Sequence, residues 1–306
     1  MRREIEFILF QIIKWTTLSL PLKSAQRLGF YFGSIAYYVL SKRRHIALHN
    51  LQNAFPSKSL SERKSIAFKS FQNVGISLIE MLWFPNLTDE ILKGLVKPKN
   101  IELLLKGYST GNGMVMLSGH FGNWELIALS MAHLSKIPFS IIVQTQDNKL
   151  VDEVVNRHRC LFGNKVIPMG MSVREIIRTL QSGGIVAIAP DQSASPEGVY
   201  VEFFGRKVTT HQGPAVFALR SRVPMQIGFI IRQEDGTYEV ILEEIPYYDL
   251  TEYNEDNVRE LTRRHTAVLE RYIRLYPDHW LWMHRRWKHT KEEVQPEMRA
   301  VDHASR

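Results

Sequence analysis

Met114-Val-Met-Leu-Ser-Gly-His-Phe-Gly-Asn-Trp-Glu125 passes from an apolar run of strand length, through two glycines flanking a His-Phe pair, to a carboxylate that opens an apolar helical pattern. The stretch reads as a strand, a tight turn and a helix N-terminus. Gly119 and Gly122 supply the backbone freedom such a turn needs. Asn123 is placed to cap a helix over 124–134. His120 and Glu125 lie five positions apart, which on a regular helix turns their side chains roughly 140° from each other at about 3.6 residues per turn. They meet only if His120 sits in the turn and Glu125 in the first helical turn, where an acid would fix the tautomer of a general base. A histidine beside glycine is also an ordinary loop residue, so spacing by itself leaves both readings standing.

Working outward, the pattern alternates. Residues 60–84 read as an amphipathic helix, 137–143 as a strand, 150–162 as a helix and 166–168 as a short strand. Ser172-Val-Arg-Glu175 reads as a capping box opening a helix to Gln181, and 185–189 as a buried strand. A helix over 213–220, a hairpin of 226–231 with 238–243 and a charged amphipathic helix over 257–275 follow. This alternation predicts an α/β fold, a mostly parallel central sheet flanked by helices. Ligands of such sheets bind beyond the carboxyl ends of the strands. His120 and Asp191 each fall just past a strand end, which places the two to face one site. A carboxylate there also serves simply to cap a turn.

With 306 residues, 44% hydrophobic and 23% charged, the chain is globular and long enough to bury a full core. One cysteine, Cys160, excludes an intrachain disulfide and a multi-cysteine metal centre. No His-Glu-x-x-His or Cys/His ligand spacing occurs, so no metal is expected. Residues 1–50 hold eight Lys/Arg against two Glu, and thus six of the eight net positive charges. That asymmetry points to an anionic surface. No zinc-finger, ribonucleoprotein or Gly-x-x-Gly motif accompanies it, so the expected partner is a membrane rather than nucleic acid.

Ile5, Ile8, Leu9, Ile12 and Ile13 recur at helical spacing, but Gln11 and Lys14 interrupt the run and Pro21 ends it, short of the roughly 20 apolar residues of a spanning helix. Residues 28–40 are rich in Phe and Tyr and close on Lys42-Arg43-Arg44, a pattern suited to the headgroup level. The reading is an N-terminal helical membrane-docking element over 1–45, a main domain over 46–291 and a polar tail over 292–306. The alternative is that both helices pack on the protein's own core.

His120-x-x-x-x-Glu125, with Phe-Gly-Asn-Trp between, resembles the acyltransferase signature of the bacterial lipid A late acyltransferases, within the lysophospholipid acyltransferase superfamily. Further blocks arrive in that family's order from about residue 30 to residue 289. They are Ala47-Leu-His-Asn-Leu-Gln-Asn-Ala-Phe-Pro56, Arg157-His-Arg159, Ala189-Pro-Asp-Gln192, the Phe203-Phe-Gly205 region and Pro277-Asp-His-Trp-Leu-Trp-Met-His-Arg-Arg-Trp-Lys288. The resemblance implies a membrane-associated O-acyltransferase that moves a fatty acyl chain from a thioester on acyl carrier protein to a hydroxyl of a glucosamine-based lipid A precursor. It implies an inner-membrane location with the active site facing the cytoplasm, and no cofactor beyond the acyl carrier protein thioester as co-substrate. His120 is then the base and Glu125 the acid that orients it. Arg157 and Arg159 become phosphate ligands, and Asn123, Asp191 and Arg206 substrate-binding positions. The oxyanion donor is expected among backbone N–H groups near Gly122 and Asn123.

Departures and rivals are equally specific. Ser195-Pro-Glu-Gly198 lacks the leading Phe and closing Thr-Arg of the glycerolipid acyltransferase motif, reads as a turn and counts against a lysophosphatidate acceptor. From the residues alone, Arg157 and Arg159 also fit a solvated helix end, Arg206 and Lys207 exposed hairpin cations, and Trp280 and Trp282 a core. His211 is a weaker base with no acid at close spacing. The rival functions are acyl transfer to another glycolipid or a lysophospholipid, and a non-enzymatic membrane- or nucleic-acid-binding protein using the basic N-terminus and the Trp-Arg tail.

Overall fold

The structure, a computed structural model, describes residues 2–170 and 173–291. Ser172 of the expected capping box and the polar tail over 292–306 lie outside the described residues. Four helices come first, α1 (Arg2–Leu18), α2 (Leu22–Val39), α3 (Ser41–Ala54) and α4 (Leu60–Trp83). After α5 (Asp89–Leu95), β1 (Val96–Pro98) and α6 (Ile101–Ser109), strands and helices alternate: β2 (Met114–Leu117), α7 (Trp124–Ser135), β3 (Phe139–Val143), α8 (Lys149–Arg159), β4 (Lys165–Pro168), α9 (Val173–Gln181) and β5 (Ile185–Ile188). The hairpin β6 (Val199–Phe203) and β7 (Arg206–Thr210), α10 (Gly213–Ser221), the hairpin β8 (Met225–Arg232) and β9 (Tyr238–Glu244), α11 (Glu255–Leu275) and β10 (Thr290–Lys291) complete it.

Seven strands form one sheet in the order β1-β9-β8-β2-β5-β3-β4. From β8 to β4 every pairing is parallel, and β9 runs against β8. All four residues of β2 are buried, as a strand covered on both faces requires. The predicted mostly parallel sheet flanked by helices is thus observed. In β2 and β5, Leu117 pairs with Ile188. Three residues beyond each of these stand His120 and Asp191, at equivalent heights above the carboxyl ends of neighbouring strands.

The N-terminal helices are part of this body. Gly29 and Gly33 of α2 meet Gly75 of α4 backbone to backbone: a Cβ on Gly33 would lie 2.2 Å from the Phe71 carbonyl oxygen, and one on Gly75 2.4 Å from that of Gly29. One face of α1 and α2 therefore packs inward, with Phe10, Ile13 and Ala25 against the core. The opposite face of α1 leaves Ile5, Ile8, Leu9, Ile12 and Trp15 exposed, and α2 leaves Phe30, Tyr31, Ile35, Tyr38 and Val39 exposed. Among the described residues no helix is long and apolar enough to cross a membrane.

The C-terminal aromatic block is core, not surface. Trp280, Trp282 and Trp287 are buried among Phe203, Phe204 and one another. Arg286 is also buried, donating to the Thr209 carbonyl and, at 2.6 Å, to Thr210 Oγ1. Only Arg285 and Lys288 of its cations face solvent. Three large indoles bury too much apolar surface to stay at the rim when a neighbouring hairpin can cover them.

Candidate active site

The turn between β2 and α7 is fixed from several sides. Gly122 has φ +56°, and a Cβ there would lie 1.9 Å from the Ile230 carbonyl oxygen, so both conformation and space demand glycine. Its N–H donates to the His279 carbonyl at 2.8 Å, and Leu281 N–H donates to the His120 carbonyl at 3.0 Å. The C-terminal block thus clamps the turn. Asn123 caps α7, its Oδ1 accepting from Leu126 N–H at 3.0 Å.

His120 is oriented by Asp191. Its ring Nδ1 lies 2.7 Å from Asp191 Oδ1, and its backbone N–H donates to Oδ2 at 2.9 Å. Because a carboxylate can only accept, Nδ1 carries the proton and Nε2 presents its lone pair. Trp280 Nε1–H donates to Oδ2 at 2.9 Å, so one buried carboxylate ties together ring, backbone and C-terminal block. Burial opposes ionisation of Asp191, but His120 and these hydrogen bonds outweigh it and hold the carboxyl at about 2. Burial likewise pulls the His120 imidazole down, yet Asp191 and, more weakly, Glu125 leave its pKa raised above the ordinary value.

The expected contact between Glu125 and His120 is replaced by another. Glu125 chelates Arg159, Oε2 accepting from Nε at 2.8 Å and Oε1 from Nη2 at 2.5 Å. The physical reason is the helix start: with Trp124 as the first residue of α7, Glu125 points at the C-terminal end of α8, while the Nδ1 edge of His120 points at β5. Arg159, further held by Asn156 Oδ1 at 3.1 Å, is thereby a partner of Glu125 and not a free phosphate ligand. Arg157 is exposed and pairs with Glu153, 3.6 Å away on its own helix, the solvated-face reading. Arg206 is exposed at the β6–β7 turn, away from the site.

Asn123 is fully buried and cannot touch substrate. Its Nδ2 donates to Glu80 Oε2 at 2.6 Å. Glu80, buried in α4, also accepts from Gln26 Nε2 of α2 at 2.7 Å and from the Tyr238 hydroxyl, with Arg232 3.9 Å away. Burial raises its pKa, opposed by Arg232 and these donors. The backbone N–H of Gly122, expected as an oxyanion donor, is already bonded to His279. A side-chain amide stands where a donor is needed: Gln192 Nε2 is 3.4 Å from His120 Nε2. Spacing gave no signal for Gln192 as a donor or for Trp280 as a carboxylate partner, although both sit in the quoted blocks.

His120 opens into a cavity of about 1310 Å³. Its far end reaches buried apolar side chains, among them Leu104, Met131, Phe139 and Leu242. Trp124, Glu125 and Arg159 line it near the histidine, and Phe10 and Ile13 of α1, Phe32 of α2 and Leu40 just past α2 line it as well. A lone pair on an oriented imidazole at the edge of a long apolar cavity suits deprotonation of a hydroxyl beside a bound hydrocarbon chain.

Residues 1–289 match the family described as bacterial lipid A biosynthesis acyltransferase. The chain is 27% identical over 282 residues to the lipid A biosynthesis palmitoleoyltransferase of Escherichia coli (strain K12), covering 90% of this chain and 89% of the relative. It is 27% identical over 288 residues to the lipid A biosynthesis lauroyltransferase of the same strain, covering 92% and 91%. A lipid A biosynthesis acyltransferase of Haemophilus influenzae is 26% identical over 290 residues, covering 92% of this chain and 89% of the relative.

Proposed function

The chain belongs to the bacterial lipid A biosynthesis acyltransferase family, and from that membership we propose that it transfers a fatty acyl chain from an acyl carrier protein thioester to a hydroxyl of a glucosamine-based lipid A precursor, working at the cytoplasmic face of the inner membrane. The observation that carries the chemistry is His120, its Nδ1–H held by buried Asp191 and its Nε2 edge beside the apolar cavity. The acceptor hydroxyl gives its proton to Nε2 as its oxygen attacks the thioester carbonyl. Asp191 stabilises the imidazolium that forms. The tetrahedral oxyanion accepts from donors such as the Gln192 amide, then collapses with cleavage of the C–S bond. The departing thiolate takes the proton back from Nε2, leaving ester, free thiol and neutral His120.

Glu125 and Arg159 act as a pair beside the reacting groups. The bidentate contact holds each rigid, and the carboxylate contributes to the raised His120 pKa. The apolar cavity takes the acyl chain. The exposed apolar faces of α1 and α2, with the basic residues that follow, rest on the membrane and bring the lipid acceptor to the cavity mouth.

Acyl transfer from a purified thioester to the lipid A precursor in detergent micelles tests this. Wild type forms ester, and His120→Ala loses about 10²–10⁴-fold in turnover, the usual contribution of a positioned base. Undiminished turnover in His120→Ala would sink the mechanism.

A further inference from the structure

The rim of the cavity holds a cluster that the acyl-transfer chemistry does not use. Arg43 of α3, His211 after β7 and His284 of the C-terminal block line the same cavity as His120 and Gln192, and the charges of Arg43 and His120 both act on the His284 ring. Among the described residues Arg43 has no carboxylate partner. Among the described residues its hydrogen bond runs from Nη1 to the Met283 carbonyl at 3.3 Å, which sets the guanidinium beside His284 and leaves most of its donors open. The other charged side chains lining the cavity, Glu125 and Arg159, neutralise each other. Arg43 is therefore the unbalanced formal charge of the wall.

The two imidazoles add neutral donors. His284 Nδ1 is shut away from solvent with no hydrogen-bond partner among the described residues. A buried N–H left without an acceptor is costlier than a lone pair left without a donor, so the proton belongs on Nε2. Burial lowers the pKa of both rings, with Arg286 adding to it, so both are neutral near pH 7 and the positive charge at the rim is that of Arg43. Asp191, the carboxylate nearest behind them, is committed to His120 and Trp280 and does not face the cavity.

We propose that Arg43, His284 and His211 form an oxyanion subsite that holds a phosphate group of the acceptor lipid and so places its hydroxyl at His120. The proposal rests on the acyl-transfer reading of the same cavity and names the part of the substrate that the apolar walls cannot recognise. A phosphate suits a guanidinium fork with converging N–H donors. The acceptor rather than the donor is assigned because Arg43 follows closely on the exposed C-terminal end of α2, Tyr38 and Val39, and shares the cavity wall with exposed Phe32 and Leu40, the apolar side from which a lipid arrives. This replaces the phosphate role that the sequence places on Arg157 and Arg159.

The test is equilibrium binding, in detergent micelles, of an acylated glucosamine lipid carrying a phosphate monoester and of the same lipid without it. Wild type binds the phosphorylated lipid about tenfold tighter or more. Arg43→Gln, at an exposed position that tolerates substitution, abolishes most of that ratio, and Arg43→Lys keeps part of it. His284→Phe reduces it about threefold, the effect of one neutral hydrogen bond. A wild-type ratio near one, or the same ratio in Arg43→Gln, overturns the proposal. The source of the phosphate is read in turnover with a phosphate-bearing acyl carrier protein thioester against a phosphate-free N-acetylcysteamine thioester. If the Arg43→Gln loss follows the donor's phosphodiester, the assignment to the acceptor is overturned. Absence of transfer by wild type would instead refute the acyl-transfer reading, while the binding ratio still decides the subsite.

Discussion

Asp191 shows how far single residues could be read. Its place just past a strand end was visible, because β2 and β5 are both short apolar runs and both end three residues before a polar group. What spacing could not supply was which acid reaches Nδ1 of His120, since Glu125 lies five positions away in sequence and Asp191 seventy-one. The pair makes a signed prediction. Asp191 raises the His120 pKa, and the base works only when neutral, so kcat/KM falls with decreasing pH through that raised value. Asp191→Asn removes the charge that favours the imidazolium, and the acid limb of the profile moves to lower pH while kcat drops about 10²–10⁴-fold. A pH–rate profile in the two proteins checks it, and a limb that stays in place would mean Asp191 does not set the base. By contrast, Asn123 was legible as a cap, and being a cap is what takes it away from substrate: its oxygen holds Leu126 and its amide holds Glu80.

At the scale of elements, the strand and helix pattern over 114–275 was readable because buried parallel strands and amphipathic helices have different periods. The N-terminal helices were harder, since α1 is apolar on two faces. One face packs inward with Phe10 and Ile13, and the other carries Ile5, Ile8 and Ile12 into solvent. The reading that these helices pack on the protein's own core thus holds for one face, and the other face is apolar and exposed. For α2 the glycines at 29, 33 and 75 settle the inward half, because backbone contact at 2.2–2.9 Å from an added Cβ leaves no room for any side chain. The outward half predicts that Ile8→Glu together with Ile12→Glu weakens association with vesicles of anionic phospholipid by about tenfold or more, the loss of two buried isoleucines each contributing about 1.5–3 kcal/mol. Co-sedimentation measures it, with circular dichroism to show that the fold is retained. Equal sedimentation would leave those faces without a membrane role.

Over the whole molecule, the cavity is what joins these parts. The end that holds His120 belongs to the carboxyl edge of the sheet, the rim to α2, α3 and the C-terminal block, and the apolar end to α6, α7, β3 and β9. Met131 is nearly inaccessible and lies at that apolar end. Met131→Ala deepens it, so the preferred acyl thioester becomes longer, at a stability cost of ~2–5 kcal/mol. Competition between thioesters of graded chain length checks this, and an unaltered preference would place the chain elsewhere. The sequence by itself determined the α/β class, the turn that carries His120, the strand end that carries Asp191 and the order of the family's blocks, because each is written in local periodicity or in contiguous residues. Only the tertiary structure decided that Asp191 and not Glu125 holds His120, that Glu125 and Arg159 hold each other, and that the Trp-Arg block is core. Those are contacts between residues far apart in the chain, and packing and the pairing of buried charges, rather than spacing, choose them.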